Sequence, residues 1–260
     1  MEIPPYVKGH QLLEGKSVLI TAAAGTGIGF ATARKSLEEG CRSLFISDVH
    51  EGRLKAAQSE LQRLAPNQQV YAKLCNVSQE SDVQSLIETA EQHLDGIDVL
   101  FNNAGLGTSK SLMEMTDDEW SKVMDITLTG TMRMMRAVLP QMTDRRKGVI
   151  INNSSVLGWR AQENQSHYAA AKAGVMALTR CAALEVAKKG VRINAVAPSL
   201  AVHKFLKKSA PQELLQELES KEAFGRGAEV WEVANVMMFL ASDYSSYMTG
   251  EIVSCSSQRS

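Results

Sequence analysis

Short apolar runs alternate with longer amphipathic stretches along almost the whole chain. The runs are rich in β-branched residues, which favours strands, and the stretches between them place apolar residues at helical spacing. Strands are predicted over residues 17–22, 43–48, 69–74, 97–101, 148–153, 191–196 and 251–255. Helices are predicted from the end of the loop at 23–29 to about 39, after the second strand to 64, and over 79–94, 117 to about 135, the Tyr168 segment to about 189, and 229–241. Strands that alternate with helices form parallel sheets covered on both faces, so the pattern predicts an α/β fold with a doubly wound parallel sheet.

The domain organisation is predicted to be simple. A length of 260 residues suits one α/β domain or two small ones, and no linker or internal repeat divides the chain. We therefore expect a single domain over 1–260. Residues 1–16 are predicted to be an irregular N-terminal arm, because Pro4 and Pro5 block a helix there. Residues 199–226 break the alternation, and we expect them to form a lid over the substrate.

Charge and cysteine content argue against several classes of function. A net charge of -1 argues against a surface for nucleic acid or another polyanion. No apolar run approaches the ~20 residues that span a bilayer, and the N-terminus has no apolar signal region, so no membrane association is expected. The four cysteines are far apart and form no CxxC pair, which indicates neither a metal site nor a disulfide framework. This pattern fits a reducing, cytoplasmic location.

A glycine-rich loop follows the first predicted strand. Gly25, Gly27 and Gly29 interleave with Thr26 and Ile28 just before the first helix. Glycine permits tight turns and lets backbone N–H groups approach a pyrophosphate at a helix N-terminus. The spacing is not GxGxxG, and a purely structural turn is the alternative interpretation. The loop is a candidate dinucleotide site.

An acidic residue ends the second predicted strand. Asp48 lies about 20 residues after the glycine loop, where a dinucleotide-binding protein places the carboxylate that bonds the ribose 2′-OH. Such a carboxylate repels a 2′-phosphate, and Thr26, Val49 and His50 offer no lysine or arginine to it. The sequence therefore favours NAD over NADP. A capping role at the next helix is the alternative for Asp48.

Tyr168 and Lys172 are four residues apart in an alanine-rich segment that is predicted to be helical. Residues at this spacing share a helix face, so the phenol and the ammonium lie close to one pocket. A nearby cation favours the phenolate, which makes the pair a candidate acid/base catalyst for a hydroxyl or carbonyl group. Ser155, at the end of the fifth strand, is placed to hold a substrate oxygen beside the phenol. An exposed Tyr and Lys on a helix is the alternative.

Together these pieces resemble the short-chain dehydrogenase/reductase family over essentially the whole chain. The matching stretches are AAAGTGIG at 22–29, Asp48, NNAG at 102–105, NNSS at 152–155, YAAAK at 168–172, RINAVAP at 192–198 and SSYMTGE at 245–251. The resemblance implies a Rossmann-like three-layer αβα fold and hydride transfer between nicotinamide and an alcohol or carbonyl. It looks most similar to dehydrogenases of bacterial steroid and acyl-CoA degradation.

The resemblance also implies residue roles. Tyr168 is the acid/base, Lys172 lowers the pKa of Tyr168 and holds the nicotinamide ribose, and Ser155 binds the reacting oxygen. The implied cofactor-binding residues are those of the glycine loop and Asp48, together with Asn76, Val77, Asn103, Ala104, Gly105, Tyr168, Lys172 and Pro198.

The chain departs from the family pattern at several positions. The Thr-Gly before the loop is replaced by Ala22-Ala23, or Thr21 aligns with one inserted residue. The asparagine of the family's proton relay is replaced by Thr127, which we include among the candidate catalytic residues while its relay role is in doubt. The threonine that bonds the nicotinamide amide is replaced by His203, and the adenine-bonding Asp by Asn76.

Cations in the predicted lid suggest an anionic substrate. His203, Lys204, Lys207 and Lys208 cluster there, and Arg160 follows the catalytic serine. They are candidates to hold the phosphates of a CoA thioester, or a carboxylate. The candidate substrates are therefore ketones of an acyl-CoA or of a steroid-derived compound. The alternative is a solvated face balanced by the glutamates at 213, 217, 219 and 222.

Other functions stay open at this point. These are a nucleotide-binding scaffold or sensor with weak catalysis, a 3-oxoacyl-carrier-protein-type reductase, and a sugar-nucleotide epimerase, which needs a longer C-terminal region. A homotetramer is expected, because Met124, Leu128, Met132 and Met135 give one helix more apolar surface than one sheet face requires. The family uses this helix and the Tyr168 helix as a dimer interface, and simple core packing is the alternative.

Overall fold

The computed structural model describes residues 1–203, 206 and 212–257, apart from the side chain of Leu214. Seven parallel strands form the central sheet in the order β3-β2-β1-β4-β5-β6-β9. Their bounds are β1 Ser17–Ile20, β2 Ser43–Asp48, β3 Gln69–Leu74, β4 Val99–Asn102, β5 Gly148–Asn153, β6 Val191–Pro198 and β9 Ile252–Cys255. Two short strands, β7 Ala201–Val202 and β8 Ala228–Glu229, pair separately.

Helices cover both faces of the sheet. They are α1 Ile28–Glu38, α2 Glu51–Leu64, α3 Glu80–Leu94, α4 Asp117–Met124, α5 Gly130–Asp144, α6 Ser166–Val186, α7 Gln212–Ser220 and α8 Val230–Ala241. One buried cluster joins α1, α2 and α8 to the sheet, and a second joins α3, α5 and α6. Within the described residues, no helix is long and apolar enough to cross a membrane. The predicted Rossmann-like, doubly wound α/β fold is confirmed.

The strands are continuous apolar runs in the sequence because both faces of the sheet are buried. All four residues of β1 are buried, because successive side chains point to opposite faces and both faces are covered by helices. Leu19 packs in the cluster with α3, α5 and α6, whereas Val18 and Ile20 pack in the cluster with α1, α2 and α8.

The helix predicted over 117–135 differs from the structure. The helical path continues to Asp144, and a π-helical turn at Asp125–Thr129 separates α4 from α5. The prediction that Met135 adds outward apolar surface is wrong, since this side chain is only 2% exposed and lies in the core. Met124, Leu128 and Met132 are half-buried.

The first strand is shorter than predicted. β1 ends at Ile20, because Ala22 has a φ of 49°, in the left-handed region that extended strands exclude. The arm at 1–16 contains no helix or strand. Its Tyr6 hydroxyl donates to Glu38 Oε2 at 2.7 Å, and the Tyr6 ring meets Trp231 with centroids 5.2 Å apart.

Candidate active site

The candidate site lies at the carboxyl ends of the strands. The strand order reverses between β1 and β4, and ligands of open parallel sheets bind at such a switch point. The glycine loop follows β1, the segment from Asn103 follows β4, and Ser155 follows β5. Crossover helices return every strand to the same edge, so these distant segments meet there.

Thr21 anchors the glycine loop to the neighbouring strand. Its hydroxyl oxygen accepts hydrogen bonds from the backbone N–H groups of Asn103 and Ala104, each at 3.0 Å. Asn103 Nδ2 donates in turn to the carbonyl oxygens of Thr21 at 3.3 Å and Ala22 at 3.0 Å. Thr21 therefore takes the anchoring position before the loop, and of the two alignments considered this supports the one with an inserted residue.

The three loop glycines have different surroundings. A Cβ added at Gly25 or Gly27 would have no heavy atom within 4 Å, and Gly25 has a φ of 96°. A Cβ at Gly29 would lie 2.2 Å from the Ala22 carbonyl oxygen and 2.5 Å from Asn103 Nδ2. Gly29 is thus required by packing. The open side at Gly25 and Gly27, at the N-terminus of α1, fits the phosphates of a dinucleotide.

A cavity of about 450 Å³ brings the predicted catalytic residues together. Ser155, Tyr168 and Lys172 all line it. Other residues that sequence patterns singled out also line it: Ile28, Asn103, Gly105, Pro198 and His203. The cavity therefore combines a phenol, an ammonium and a hydroxyl at the edge of the glycine loop.

Burial is the largest influence on the pKa values of Tyr168 and Lys172. Burial raises the pKa of Tyr168, and a side-chain hydrogen bond with Ser155 lowers it only in part. Burial lowers the pKa of Lys172 to about 8, and its ammonium donates to the carbonyl oxygen of Asn153 at 2.6 Å. Burial is thus the larger of the two effects on the pKa of Tyr168, and the expected lowering by Lys172 stays a prediction.

Asn153 is a site residue that sequence reasoning did not single out. Its Nδ2 donates to Asn103 Oδ1 at 2.9 Å, and its carbonyl accepts from Lys172. Asn103 continues this chain of hydrogen bonds to Ala22. The network links the ammonium to the glycine loop. The available signal was a second polar residue at the end of an otherwise apolar strand, within NNSS.

A second cavity of about 330 Å³ lies where Ala22, the end of β2 and the residues after β3 meet. Predicted cofactor-binding residues line it, among them Asp48, Asn76, Val77 and Ala104. Lys122 also lines it and was not predicted.

Asp48 and Asn76 both make hydrogen bonds to nearby backbone. The Asp48 carboxylate accepts from the backbone N–H groups of Ala24 at 3.2 Å and His50 at 3.0 Å, so it holds the glycine loop as well as the start of α2. Asn76 Oδ1 accepts from the backbone N–H and hydroxyl of Ser78, which fixes the turn before α3.

Thr127 lies behind the catalytic cavity rather than in it. Its side chain is fully buried in the π-helical turn. The hydroxyl accepts from the Leu106 backbone N–H at 3.0 Å and donates to the Leu106 carbonyl oxygen at 3.3 Å. Thr127 thus holds the segment after β4.

The predicted substrate residues are divided between two spaces. His203 lines the catalytic cavity, its Nδ1 accepts from the Leu206 backbone N–H at 3.3 Å, and burial lowers its pKa. Arg160 instead lines an adjoining polar groove of about 1070 Å³. Lys204, Lys207 and Lys208 lie outside the described residues. Glu222 does not belong to a solvated face, because it is only 4% exposed.

The groove and the catalytic cavity adjoin. Four residues line both of them: Leu157, Gln162, Gln165 and Leu218. Sequence reasoning missed these four, and no local pattern distinguishes them from ordinary surface residues.

Comparisons with known proteins agree with this geometry. The family model described as enoyl-(acyl carrier protein) reductase matches residues 22–257. The chain is 56% identical over 256 residues to (5R,7aS)-5-hydroxy-7a-methyl-1-oxo-2,3,5,6,7,7a-hexahydro-1H-indene-carboxyl-CoA reductase of Mycobacterium tuberculosis, covering 98% of this chain and 97% of that protein. It is 36% identical over 241 residues to a 3-oxoacyl-[acyl-carrier-protein] reductase of Thermotoga maritima, covering 93% and 96% of the two chains.

A solved structure of a short chain dehydrogenase is also similar to this chain in fold and sequence. A short chain dehydrogenase from Mycobacterium smegmatis has a TM-score of 0.88 at 52% identity, covering 100% of this chain and 99% of that one. The match of sequence, fold and site assigns this chain to the short-chain dehydrogenase/reductase family, as an oxidoreductase that transfers hydride between a nicotinamide cofactor and an alcohol or ketone.

Proposed function

We propose that this enzyme interconverts a ketone and a secondary alcohol on a CoA thioester, with NAD(H) as the cofactor. The observation that carries the proposal is that two spaces adjoin. The cavity that holds Ser155, Tyr168 and Lys172 shares four lining residues with the larger polar groove beside it. A reacting carbon fits in the first space while a long polar tail extends through the second.

The roles of the catalytic trio follow from their positions. Ser155 holds the substrate oxygen, and Tyr168 exchanges a proton with that oxygen. Since burial raises the pKa of Tyr168, the phenol is protonated at neutral pH and is ready to donate during ketone reduction. Lys172 holds the nicotinamide ribose with its ammonium, which Asn153 orients. The bound nicotinamide supplies or accepts the hydride.

Two further positions are assigned to the cofactor and substrate. Asp48 is proposed to select NAD, because its carboxylate lies on the adenosine side and would repel a 2′-phosphate. His203 is proposed to donate a hydrogen bond from Nε2 to the substrate. Its Nδ1 already accepts from the Leu206 backbone N–H, and the ring is neutral because burial lowers its pKa.

The adjoining groove suits the tail of a CoA thioester. Gln162 and Gln165 offer amide groups where the two spaces meet, and Arg160 and Lys221 are the cations that line the groove, Lys221 being paired with Glu217 at 2.7 Å. Amides pair with the amides of pantetheine, and cations with phosphates. The mycobacterial relative at 56% identity carries a carboxyl-CoA substrate in its name, which supports the same substrate class here.

The segment at 199–226 is proposed to be the lid over this substrate. Both of its ends are tied together. β7 pairs with β8, and the buried Glu222 accepts from the Leu200 backbone N–H at 3.3 Å and from the Ser257 hydroxyl at 2.8 Å. Leu200 and Leu218 both line the catalytic cavity.

The test compares three forms of one ketone. A bicyclic keto acid is supplied as its CoA thioester, as its N-acetylcysteamine thioester and as the free acid, each with NADH and with NADPH. We expect kcat/KM for the CoA thioester to exceed that of the other two at least tenfold, about what one well-made charged contact contributes. Equal values for all three forms would contradict a tail site. A higher rate with a 3-oxoacyl carrier protein would favour the carrier-protein reductase alternative.

Arg160→Ala gives a matched probe of the groove. It should reduce the preference for the CoA thioester over the N-acetylcysteamine thioester while the rate with the shorter ester stays unchanged. Arg63→Ala, on the exposed side of α2, serves as the control. An unaltered preference in Arg160→Ala would remove Arg160 from the tail site.

We also propose a cytoplasmic homotetramer. The half-buried Met124, Leu128 and Met132 on α4, the π-helical turn and α5 support helix-to-helix association. The free cysteines, of which Cys41 and Cys75 are buried, suit a reducing compartment. Light scattering at micromolar concentration should give four times the chain mass, and a monomeric mass would refute the assembly.

A further inference from the structure

A short segment without helix or strand forms one side of the catalytic cavity. We name residues 105–110 the wall segment; it follows β4. Gly105 and Gly107 line the cavity. A Cβ added at Gly107 would lie 3.4 Å from two ring carbons of Tyr168, so the wall backbone packs directly against the phenol ring. The position of this segment therefore determines the space beside Tyr168.

Three contacts fix the wall segment to its surroundings. At its start, Leu106 is held by the hydroxyl of Thr127. At its end, the Lys110 backbone N–H donates to the Asn164 carbonyl oxygen at 2.9 Å. Between them, Thr108 Oγ1 and His167 Nε2 share a hydrogen bond of 2.7 Å. This middle contact is the one beside Gly107.

His167 is an unusual residue for its location. It directly precedes Tyr168 in α6 and is fully buried. Its Nδ1 is buried without a hydrogen-bond partner among the residues that the structure describes. A half-satisfied buried imidazole is less favourable than an apolar side chain of similar size. Its one hydrogen bond reaches the wall segment, which suggests that this bond is the reason for the histidine.

We infer that His167 and Thr108 are a positioning pair that holds the wall segment against the ring of Tyr168. Neither residue lines the catalytic cavity. The pair acts through the wall, because fixing Thr108 also fixes the backbone of Gly107 against the phenol. Misplacing a group beside the reacting atoms by about 1 Å is enough to reduce turnover strongly.

Thr108→Val tests the pair with minimal disturbance, because Thr108 is exposed and the change removes only the hydroxyl. With NADH and the ketone probe that the unmutated enzyme reduces fastest, we expect kcat/KM for the ketone to fall about fivefold, the factor that one net hydrogen bond carries. The KM for NADH should stay unchanged, while the Tm should fall because the buried imidazole loses its partner. Thr108→Ser should restore kcat/KM, since it retains the hydroxyl.

A matched control and a second variant complete the experiment. Thr143→Val removes a hydroxyl that donates to the Pro140 carbonyl in α5, away from the cavity, and should leave kcat/KM unchanged. In a His167→Gln background, which keeps a polar tip, Thr108→Val should again reduce kcat/KM, whereas in His167→Leu it should have no further effect. Hydrogen exchange of the wall peptide should rise in Thr108→Val and not in Thr108→Ser.

Two results would overturn the inference. Either Thr108→Val retains kcat/KM within about twofold of the unmutated enzyme, well inside the expected factor, or Thr108→Ser loses as much activity as Thr108→Val. In the first case the bond does not affect catalysis, and in the second the hydroxyl is not what positions the wall.

Discussion

Substitution by alanine should have different effects at two glycines of the same loop: at Gly29 it should lower stability, and at Gly27 it should weaken cofactor binding. Gly29→Ala would place a methyl group 2.2 Å from the Ala22 carbonyl oxygen and 2.5 Å from Asn103 Nδ2. Ordinary contact needs a displacement of about 1 Å, which costs about 1–3 kcal/mol in a packed region. The displacement also breaks the bond from Asn103 to Ala22, worth about 1 kcal/mol.

The total for Gly29→Ala is about 2–4 kcal/mol of unfolding free energy. For a chain of this length we expect a fall in Tm of about 5–15 °C. Gly27→Ala should behave differently, because Gly27 has a φ of -89° and a ψ of -168°, which alanine adopts without strain. Its methyl group would meet nothing within 4 Å, so stability should be equal or slightly higher.

The cost of Gly27→Ala should instead appear in cofactor binding. The methyl group would occupy the open side of the loop, where phosphate oxygens approach the backbone N–H groups at the start of α1. We expect the Kd for NADH to rise at least about tenfold, equivalent to about 1.4 kcal/mol. Differential scanning fluorimetry and NADH fluorescence titration measure the two effects separately.

Either variant can refute the reasoning. If Gly27→Ala binds NADH with an unchanged Kd, the dinucleotide phosphates do not contact this side of the loop. If Gly29→Ala keeps the Tm of the unmutated protein, the close approach of Gly29 to Ala22 does not constrain the fold.

Four further predictions concern single residues. Tyr168→Phe should reduce turnover by about 10²–10⁴-fold while NADH still binds, and a variant retaining more than about a tenth of the rate would contradict the acid/base role. Asp48→Ala should narrow the preference for NADH over NADPH in fluorescence titrations, and equal binding of both by the unmutated enzyme would rule out the proposed selection. Thr127→Val should lower the Tm, because it removes both hydrogen bonds to Leu106, whereas Thr127→Ser should not; slower turnover at an unchanged Tm would instead support a proton-relay role. Asp98→Asn should lower the free energy of unfolding in urea by about 2 kcal/mol near pH 7. Burial alone raises the pKa of Asp98, but the Ser17 backbone N–H, Lys147 and Arg145 together lower it below 3.8. The stabilisation should therefore be lost as the pH falls through the folded-state pKa, and a difference between the two proteins that persists in acid would refute this prediction.

Part of the site was predictable because local spacing alone determines it. Tyr168 and Lys172 share a face of α6 because four residues make about one helical turn. Ser155 and the glycine loop lie at the same edge of the sheet because β5 and β1 are parallel and each ends there. The alternation of strands and helices in the sequence is enough to predict that arrangement.

Other features depend on contacts between residues far apart in the chain. Met135 continues an apolar helical pattern, yet only the packing of α5 on the sheet places it in the core. Thr127 replaces a family asparagine, and only the fold shows that its hydroxyl is bonded to Leu106. The contact between Thr108 and His167 joins residues 59 positions apart and has no sequence signature.

The sequence by itself therefore determined the order of strands and helices. It also predicted the cofactor loop and the trio of Ser155, Tyr168 and Lys172, which the fold brings into one cavity. Only the tertiary structure decided that Thr21 anchors the loop through two amides from the β4 end, and that burial raises the pKa of Tyr168. The physical reason is that periodicity and turn chemistry act between neighbours along the chain. Burial and the pairing of polar groups depend on which distant segments pack around them.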